Sequence, residues 1–241
     1  MLGSRIIDFP TLPSTNTYLK NNYQNLPHGT IVTCAYQTAG KGRFNRKWFA
    51  GNDLLLSILI KENLKLTEIP QLGLVSAAAV YETLKKYISD LTIKWPNDVL
   101  AQGKKIAGIL LESIIGENRL NCLIIGIGIN VNTVSYPVEL SHKSTSLQLL
   151  TGNSYVIKEL LEELVDNINV FYLEFKLDNH RYADICIDNS NLIGKEVVFN
   201  DFSYIKKGKV LAILKNGNIL IETDGVITEY NYGEITLSGY N

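Results

Sequence analysis

The chain of 241 residues has 46% hydrophobic and 20% charged side chains and a formal net charge of -1. This composition is typical of a globular protein with a sizeable core, built as one large domain or as one domain with a small appendage. The near-neutral charge gives no electrostatic reason to expect DNA or an anionic membrane as a partner.

The amino terminus and the cysteines bear on where the protein works. Its first ten residues are broken by charge and proline, and no apolar run approaches the roughly 20 residues that a membrane span requires. Cys34, Cys122 and Cys186 stand far apart among apolar residues, which favours reduced core thiols over zinc ligation. We therefore expect a cytoplasmic protein with no membrane partner.

In chain order, a helix is predicted to begin near residue 14, where Ser14 or Thr15 can cap it. Two predicted strands, over 30–36 and 54–60, flank a basic loop that we define as residues 37–48. The loop has two glycines and four cations. Glycines let a backbone approach a ligand, and arginine matches phosphate and carboxylate oxygens, so the loop suggests an anionic small molecule. The alternative is an ordinary solvated turn.

The pattern in the middle of the chain predicts one helix followed by three strands. The predicted elements are a helix over 70–88, a short strand from 92 that ends at Pro96, a turn over 102–105, a strand over 106–112, a turn at Asn118 and a strand over 121–131. Gly108, Gly126 and Gly128 interrupt the last two strands. Because glycine within a strand often marks the close approach of a ligand or another backbone, we expect the floor of a pocket there.

The predicted secondary structure changes at about residue 192, from a long helix to short strands. Before it, Ser154 is predicted to cap a long helix that runs to about residue 177. After it, short strands are separated by Asn216-Gly217 and Asp224-Gly225, which are strong hairpin signals. The predicted strands are 197–199, 208–214, 218–222 and 234–237. We expect a small antiparallel barrel, and hence two domains, 1–190 and 191–241.

Several familiar sites are excluded by spacing: a P-loop, a dinucleotide fingerprint, a histidine metal site and a serine elbow. The remaining candidates for a functional site are lysine and arginine side chains, and Asp98 is the carboxylate nearest to them in sequence. Lys105 is either a solvated strand-edge lysine or a charge aimed into a pocket. Asp98 either stabilises a turn or binds Mg²⁺. Without His or Cys, such a site works by positioning and electrostatic stabilisation.

Five motifs resemble those of the biotin–protein ligases and occur in that family's order over nearly the whole chain. They are Ser14-Thr15-Asn16, Gln37-Thr-Ala-Gly-Lys-Gly-Arg43 with Trp48, Lys94-Trp-Pro-Asn-Asp98, Lys105-Ile-Ala-Gly-Ile-Leu110 and Gly126-Ile-Gly-Ile-Asn130. The resemblance implies an α+β fold: a mixed or antiparallel sheet with helices packed on it, similar to class II synthetases, and a C-terminal SH3-like β-barrel. It also implies an enzyme that makes biotinyl-5′-AMP from biotin and MgATP. The biotin then passes to a lysine of a biotin carboxyl carrier domain, as in acetyl-CoA carboxylase.

The resemblance also implies residue roles. Lys105 and Arg43 are the expected catalytic residues, and Asp98 is the expected Mg²⁺ ligand. The expected biotin-binding residues are Ser14, Thr15, Asn16, Gln37, Gly40, Lys41, Gly42, Arg43, Lys105, Gly108, Leu110 and Gly126. The expected nucleotide-binding residues are Arg43, Arg46, Trp48, Lys94, Asn97, Lys105 and Asn130.

The chain departs from the family's pattern in the basic loop. Lys41 stands where the family has arginine, which keeps the charge but loses the bidentate fork. Asn45 stands where the family has glycine, and asparagine tolerates left-handed backbone better than most residues. Only 13 residues precede Ser14, so we expect a monofunctional enzyme without a DNA-binding domain.

Two alternatives stay open. One is a lipoate or octanoate ligase, and the other is a non-catalytic biotin-binding sensor. A homodimer is compatible with the sequence but is not required by it.

Overall fold

The computed structural model describes residues 1–49, 51–117, 119–200, 204–231 and 234–237. Its strands are β1 (Arg5–Leu12), β2 (Thr30–Gln37), β3 (Leu54–Ile60), β4 (Leu91–Lys94), β5 (Asp98–Ala101), β6 (Lys104–Gly116), β7 (Arg119–Ile129), β8 (Glu196–Asn200), β9 (Ile205–Ile213), β10 (Ile219–Thr223), β11 (Val226–Tyr230) and β12 (Glu234–Leu237). Its α-helices are α1 (Thr15–Asn22), α2 (Ile69–Leu84), α3 (Val138–Ser141), α4 (Leu147–Thr151), α5 (Ile157–Lys176) and α6 (Arg181–Asp188). Short 3₁₀ turns cover Tyr23–Asn25, Arg43–Asn45 and Leu66–Glu68.

The larger sheet has seven strands in the order β1-β2-β3-β7-β6-β5-β4. Strands β1 and β2 are parallel, and the other neighbouring pairs are antiparallel. Helices α2 and α5 pack on one face within the main hydrophobic core. Helix α1 packs on the other face, where Leu19 joins a second, smaller core with Leu59 and Ile124. The expected mixed sheet with packed helices is confirmed.

The smaller sheet has five antiparallel strands in the order β11-β10-β9-β8-β12. Its hairpins turn at the predicted dipeptides, where Gly217, Asp224 and Gly225 have φ values of +90°, +51° and +79°. This sheet agrees with the expected SH3-like unit. Trp95 Nε1 donates to Gly217 O at 2.8 Å and so ties the larger sheet to it. A boundary after residue 190 would fall between α6 and β8, and the division into two domains stays a prediction.

Strands β1, β5 and β11 and helices α3, α4 and α6 are absent from the sequence-based prediction. Strand β1 contains Pro10, one of the residues that interrupt the apolar character of the first ten positions. A proline is tolerated there because β1 is an edge strand of the sheet. Strand β5 follows β4 after only three residues, so the two short strands of this hairpin give no periodic signal of their own. Helix α6 has only eight residues.

Three predicted boundaries are also corrected. The helix predicted over 70–88 ends earlier, since α2 ends at Leu84. Ser154 is not the cap of the long helix, since α5 begins at Ile157 and has no side-chain cap. The turn predicted over 102–105 is limited to Gln102 and Gly103, because β6 already begins at Lys104. The turn predicted at Asn118 lies outside the described residues. Among the described helices, none combines the length and the apolar character that a bilayer crossing requires.

Candidate active site

The glycines of β6 and β7 form a floor on which other side chains rest directly. Gly108 faces Gly128 across the two strands, and Leu110 faces Gly126. A Cβ atom on Gly128 would lie 2.6 Å from Trp48 Cζ2, and a Cβ atom on Gly108 would lie 2.9 Å from Trp48 Cζ3. The close approach that the glycine pattern predicts therefore exists, and the Trp48 ring makes it.

The amino-terminal end of α1 lies beside this floor. The Ser14 hydroxyl caps the helix by accepting from Thr17 N at 3.4 Å, as predicted. Thr15 N donates to Gln37 Oε1 at 2.8 Å, which joins α1 to the end of β2. A Cβ atom on Gly126 would lie 2.3 Å from Asn16 Oδ1, so Asn16 also contacts the floor. The structure thus brings these motif residues together.

Two further polar residues, Ser57 and Glu112, join this group and lie outside the five motifs. The Ser57 Oγ of β3 lies 2.6 Å from Thr15 Oγ1 and donates to Asn16 Oδ1. Asn16 Nδ2 donates to Glu112 Oε2 at 2.7 Å, and Glu112 Oε1 lies 2.6 Å from Lys20 Nζ. A sequence signal does exist, because Ser57 interrupts the otherwise apolar strand β3.

The basic loop is closed by hydrogen bonds within itself. Trp48 N donates to Gly40 O at 3.0 Å, and Gly42 N donates to Arg46 O at 2.7 Å. Between these bonds Phe44 takes a left-handed conformation with φ of +56°. The guanidinium of Arg43 lies 5.1 Å from the centre of the Phe44 ring. The loop therefore has a defined fold that presents Arg43 towards the sheet.

Arg43 reaches the turn between β4 and β5. Its Nη1 donates to Asn97 Oδ1 at 3.2 Å. Asn97 is itself held against β6, because its Nδ2 donates to Ile109 O at 2.9 Å and its carbonyl accepts from Ile109 N at 2.8 Å. The two expected ligand-binding residues are thus in direct contact across 54 positions of sequence.

Lys105 stands near the middle of the site. Its Nζ lies 2.6 Å from Asp98 Oδ1 and 5.3 Å from the centre of the Trp48 ring. The β5–β7 pairings place its strand inside the sheet, and its side chain is only 32% exposed. A solvated edge lysine is therefore the wrong interpretation. Lys94 lies directly opposite Asp98 in the β4–β5 ladder.

Asn130 holds the chain around Lys105. It is buried, and its Nδ2 donates to Thr145 O at 2.9 Å and to Lys105 O at 3.4 Å. The backbone of Lys105 also pairs with the segment before α4, donating to Lys143 O at 2.8 Å and accepting from Thr145 N at 3.0 Å. Asn130 therefore fixes the end of β6 where Lys105 emerges.

Asp53 connects the turn that follows the basic loop with the segment that follows Asn130. Its buried carboxylate accepts from Gly51 N at 3.1 Å, Val131 N at 2.8 Å and Thr133 N at 3.3 Å, and from Thr133 Oγ1 at 2.7 Å. No sequence motif marks Asp53, because Gly51-Asn52-Asp53 has the composition of an ordinary turn.

The expected site residues therefore fall into two sets. Those gathered around the floor are Ser14, Thr15, Asn16, Gln37, Gly40, Arg43, Trp48, Asn97, Asp98, Lys105, Gly108, Leu110, Gly126 and Asn130. The second set, Lys41, Gly42 and Arg46, lies on the loop, where Lys41 and Arg46 are exposed and the backbone of Lys41 bridges that of Lys47. Lys94, on β4, lies next to the first set, opposite Asp98.

The chain is similar to known proteins over most of its length. The description of the matching family is "Biotin/lipoate A/B protein ligase family", and the match covers residues 9–130. The bifunctional ligase/repressor BirA of Bacillus subtilis is 32% identical over 246 residues, which covers 98% of this chain and 75% of that protein. The chain belongs to the biotin/lipoate A/B protein ligase family.

Within this family the chain is similar to biotin protein ligases. The biotin–[acetyl-CoA-carboxylase] ligase of Paracoccus denitrificans is 37% identical over 180 residues, or 71% of this chain and 74% of that protein. The structure of the biotin protein ligase from Aquifex aeolicus in complex with biotin and ATP matches with a TM-score of 0.83 and 32% identity, covering 97% and 98% of the two chains. The family and fold expected from the five motifs are confirmed.

Proposed function

We propose that this ligase activates biotin with ATP to biotinyl-5′-AMP and then transfers the biotin to a lysine of a carrier protein. The observation that carries the proposal is the convergence of Lys105 and Arg43 with the α1 terminus over one glycine floor. This arrangement offers polar groups for a ring at one end and cations for an acid and a phosphate at the other.

The polar end suits the ureido ring of biotin, which has a carbonyl that accepts and two N–H groups that donate. Gln37 Oε1 is engaged by Thr15 N, so the amide NH₂ of Gln37 is the half that remains for a ligand acceptor. Ser14 Oγ accepts from Thr17 N and keeps its own proton for donation. The apolar part of the ligand would lie against Trp48 and Leu110.

The cationic end suits the reaction. A carboxylate oxygen of biotin attacks the α-phosphorus of ATP, pyrophosphate leaves, and a mixed anhydride forms. Lys105 and Arg43 reduce the repulsion between the two anions and stabilise the charge that develops on the phosphoryl oxygens. Asp98 keeps Lys105 Nζ oriented before the ligands arrive.

In the second step, the amine of the acceptor lysine attacks the carbonyl carbon of the anhydride, and AMP leaves. Burial beneath the basic loop would exclude water and protect the anhydride until the acceptor arrives.

The nucleotide would lie beside Trp48. The Trp48 Nε1 is buried and has no acceptor among the described residues. Because buried donors are normally hydrogen-bonded, we propose that an oxygen of the ligand accepts from it. Lys94, Asn97, Asn130 and the loop residue Arg46 are proposed to complete this part of the site, as the resemblance implies.

Mg²⁺ would accompany the ATP. Among the described residues there is no group of three or more His, Cys, Asp or Glu side chains arranged to hold a metal. Mg²⁺ is often bound by one or two carboxylates together with substrate phosphates, and the single carboxylate of Asp98 fits that mode. The ion would neutralise phosphate charge. This role of Asp98 remains a proposal.

Lipoate fits the polar end less well. Its dithiolane ring offers neither an N–H nor a carbonyl, so it would leave the hydrogen-bonding groups of Ser14 and Gln37 without partners in a closed site. A site built to bind polar groups discriminates strongly against analogues that lack them. The geometry therefore favours biotin over lipoate.

The proposed partner is a biotin carboxyl carrier domain, and the proposed location is the cytoplasm. The three cysteines are free and buried, which confirms their expected core role and suits a reducing compartment. Burial raises the pKa of Cys34 to about 11, so this thiol is unreactive near neutral pH. The absence of a DNA partner and the homodimer stay predictions.

Pyrophosphate exchange tests the proposal. The protein is incubated with Mg²⁺, ATP and labelled pyrophosphate, with biotin or lipoate added in parallel. Exchange that depends on biotin is the expected result. Exchange with lipoate alone would overturn the substrate assignment. Biotin binding without any exchange would favour a sensor.

A further inference from the structure

Glu112 points towards α1 from the strand that also carries the floor. It lies on the same face of β6 as Gly108 and Leu110, because side chains alternate along a strand. Its Oε2 accepts from Asn16 Nδ2 at 2.7 Å, and its Oε1 lies 2.6 Å from Lys20 Nζ. Asn16 and Lys20 are four residues apart and share one face of α1. Helix α1 thus engages both carboxylate oxygens.

The chemistry of a carboxylate determines how Asn16 is turned. An ionised carboxylate can only accept hydrogen bonds, so Asn16 must present its NH₂ group to Glu112. The amide carbonyl oxygen, Oδ1, then faces the buried hydroxyl of Ser57, which contacts it. An amide oxygen cannot donate a hydrogen bond. The single proton of the Ser57 hydroxyl is therefore used in the bond to Asn16 Oδ1.

The Thr15 hydroxyl continues this series of hydrogen bonds. The Ser57 and Thr15 hydroxyl oxygens lie 2.6 Å apart, and Ser57 has used its proton on Asn16. The Thr15 hydroxyl therefore donates to Ser57 Oγ. This contact is shorter than the alternative contact of Thr15 Oγ1 with Gln37 Oε1, which is 3.3 Å long. Each bond from Thr15 through Ser57 and Asn16 to Glu112 then runs in one direction. Glu112 is the terminal acceptor of this series.

We propose that Glu112 is a positioning residue that sets the donor and acceptor pattern of the ring-binding end of the site. It does so through Asn16 and Ser57 and need not touch the ligand itself. The inference rests on the proposed biotin-activating function. A ureido ring both donates and accepts hydrogen bonds, so its binding depends on that pattern, whereas a ring without such groups is indifferent to it.

A change from carboxylate to amide removes this control while keeping the shape of the side chain. In Glu112→Gln the side chain can donate as well as accept, so either orientation of Asn16 satisfies it. If Asn16 turns over, its NH₂ group meets Ser57, and the directions of the remaining bonds reverse. We expect the KM for biotin to rise about tenfold, which is the range for losing one well-placed hydrogen bond.

Lys20→Met provides the matched control. It removes the positively charged partner of Glu112, which is the more exposed of the two side chains. The hydrogen bond between Glu112 and Asn16 stays in place. Both variants and the wild type are compared by pyrophosphate exchange, with the KM for biotin, the KM for ATP, kcat and the melting temperature recorded. The expected result is a change in the KM for biotin in Glu112→Gln alone.

Three results would overturn the inference. The first is a KM for biotin in Glu112→Gln equal to that of the wild type. The second is an equal rise in both variants, which would assign the effect to the ion pair. The third is a joint rise of both KM values with a lower melting temperature, which would assign Glu112 a purely structural role. A wild type without biotin-dependent exchange would instead contradict the proposed function.

Discussion

Lys105 Nζ and Asp98 Oδ1 lie 2.6 Å apart on neighbouring strands, and Lys105 precedes Gly108, the first glycine of the floor, by three residues. The register of β5 and β6 shifts next to this pair, between Val99 and Leu100. The lysine is therefore held by a carboxylate on one side and by the Trp48 ring, 5.3 Å away, on the other. A cation restrained in this way is already oriented when an anionic ligand arrives, and such preorganisation is a major source of electrostatic catalysis.

Asp98→Asn removes the charge that orients Lys105. We expect the rate of biotin-dependent pyrophosphate exchange to fall at least about tenfold, because the ammonium group loses its fixed position. The rate is measured over a series of Mg²⁺ concentrations. The fall is expected to persist at saturating Mg²⁺, whereas complete recovery there would limit Asp98 to holding the metal.

Gly128→Ala places a methyl group within 2.6 Å of the Trp48 ring. The ring has to leave the floor, so we expect the KM for biotin to rise about tenfold and the fluorescence of Trp48 to shift to longer wavelength. Trp48→Phe identifies its share of the emission, since the other tryptophan, Trp95, is buried and bonded to Gly217.

Gly73→Ala is the matched control for this substitution. Its added methyl would meet nothing closer than 3.6 Å, and alanine within a helix such as α2 is favoured over glycine. Biotin binding and Trp48 emission should stay as in the wild type. An unchanged KM and spectrum in Gly128→Ala would contradict the placement of Trp48 on the floor.

Asp53→Ala leaves the backbone N–H groups of Gly51, Val131 and Thr133 without their acceptor. We expect the free energy of unfolding to fall by about 3 kcal/mol, because buried donors are costly when unpaired. Thr133→Val removes only the hydroxyl bond and should cost about 1 kcal/mol. Urea denaturation measures both values, and equal losses would show that the backbone donors do not depend on Asp53.

His28 gives the protein a pH-dependent component of stability. Its Nδ1 accepts from Lys61 N at 3.1 Å, a bond that the protonated ring cannot make. Burial lowers the pKa of His28 below its ordinary value of 6.5; the nearby Glu62 opposes this shift, and the amino terminus and Lys176 add to it. The unfolded chain therefore binds the proton more readily. This contribution is fully present above pH 6.5 and is lost as the pH falls towards the pKa of the folded protein.

His28→Gln removes this pH dependence. We expect the difference in unfolding free energy between pH 7.5 and pH 5.5 to be smaller in the variant than in the wild type. His142→Gln, at an exposed position, is the control and should keep the wild-type difference. A wild type that becomes more stable on acidification over this range would refute the assignment.

Local sequence patterns predict the larger elements well. The strand predicted over 54–60 coincides with β3, and the long helix predicted to end near residue 177 ends at Lys176. In both elements the hydrophobic pattern extends over most of the element. Strands β1 and β5 depend on pairing with distant or short neighbours, so their sequences alone do not indicate them.

The candidate site is predictable only where motifs mark it. Lys105, Asp98 and the glycines of the floor lie in recognisable motifs, and their contacts in the structure agree with a shared site. Glu112 and Asp53 act through partners that are 96 and 80 positions away, respectively. Such contacts arise from the order of strands in the sheet and from the packing of α1 on it, which no local pattern contains.

The central claim is that Lys105 supports the attack of biotin on ATP. Its most direct test compares biotin-dependent pyrophosphate exchange in Lys105→Met and Lys104→Met. The two lysines are neighbours on β6, but the Lys104 Nζ donates to Ser141 O in an exposed contact 3.3 Å long, away from Asp98. We expect at least about a hundredfold loss of exchange in Lys105→Met and wild-type exchange in Lys104→Met. Wild-type exchange in Lys105→Met would contradict the account.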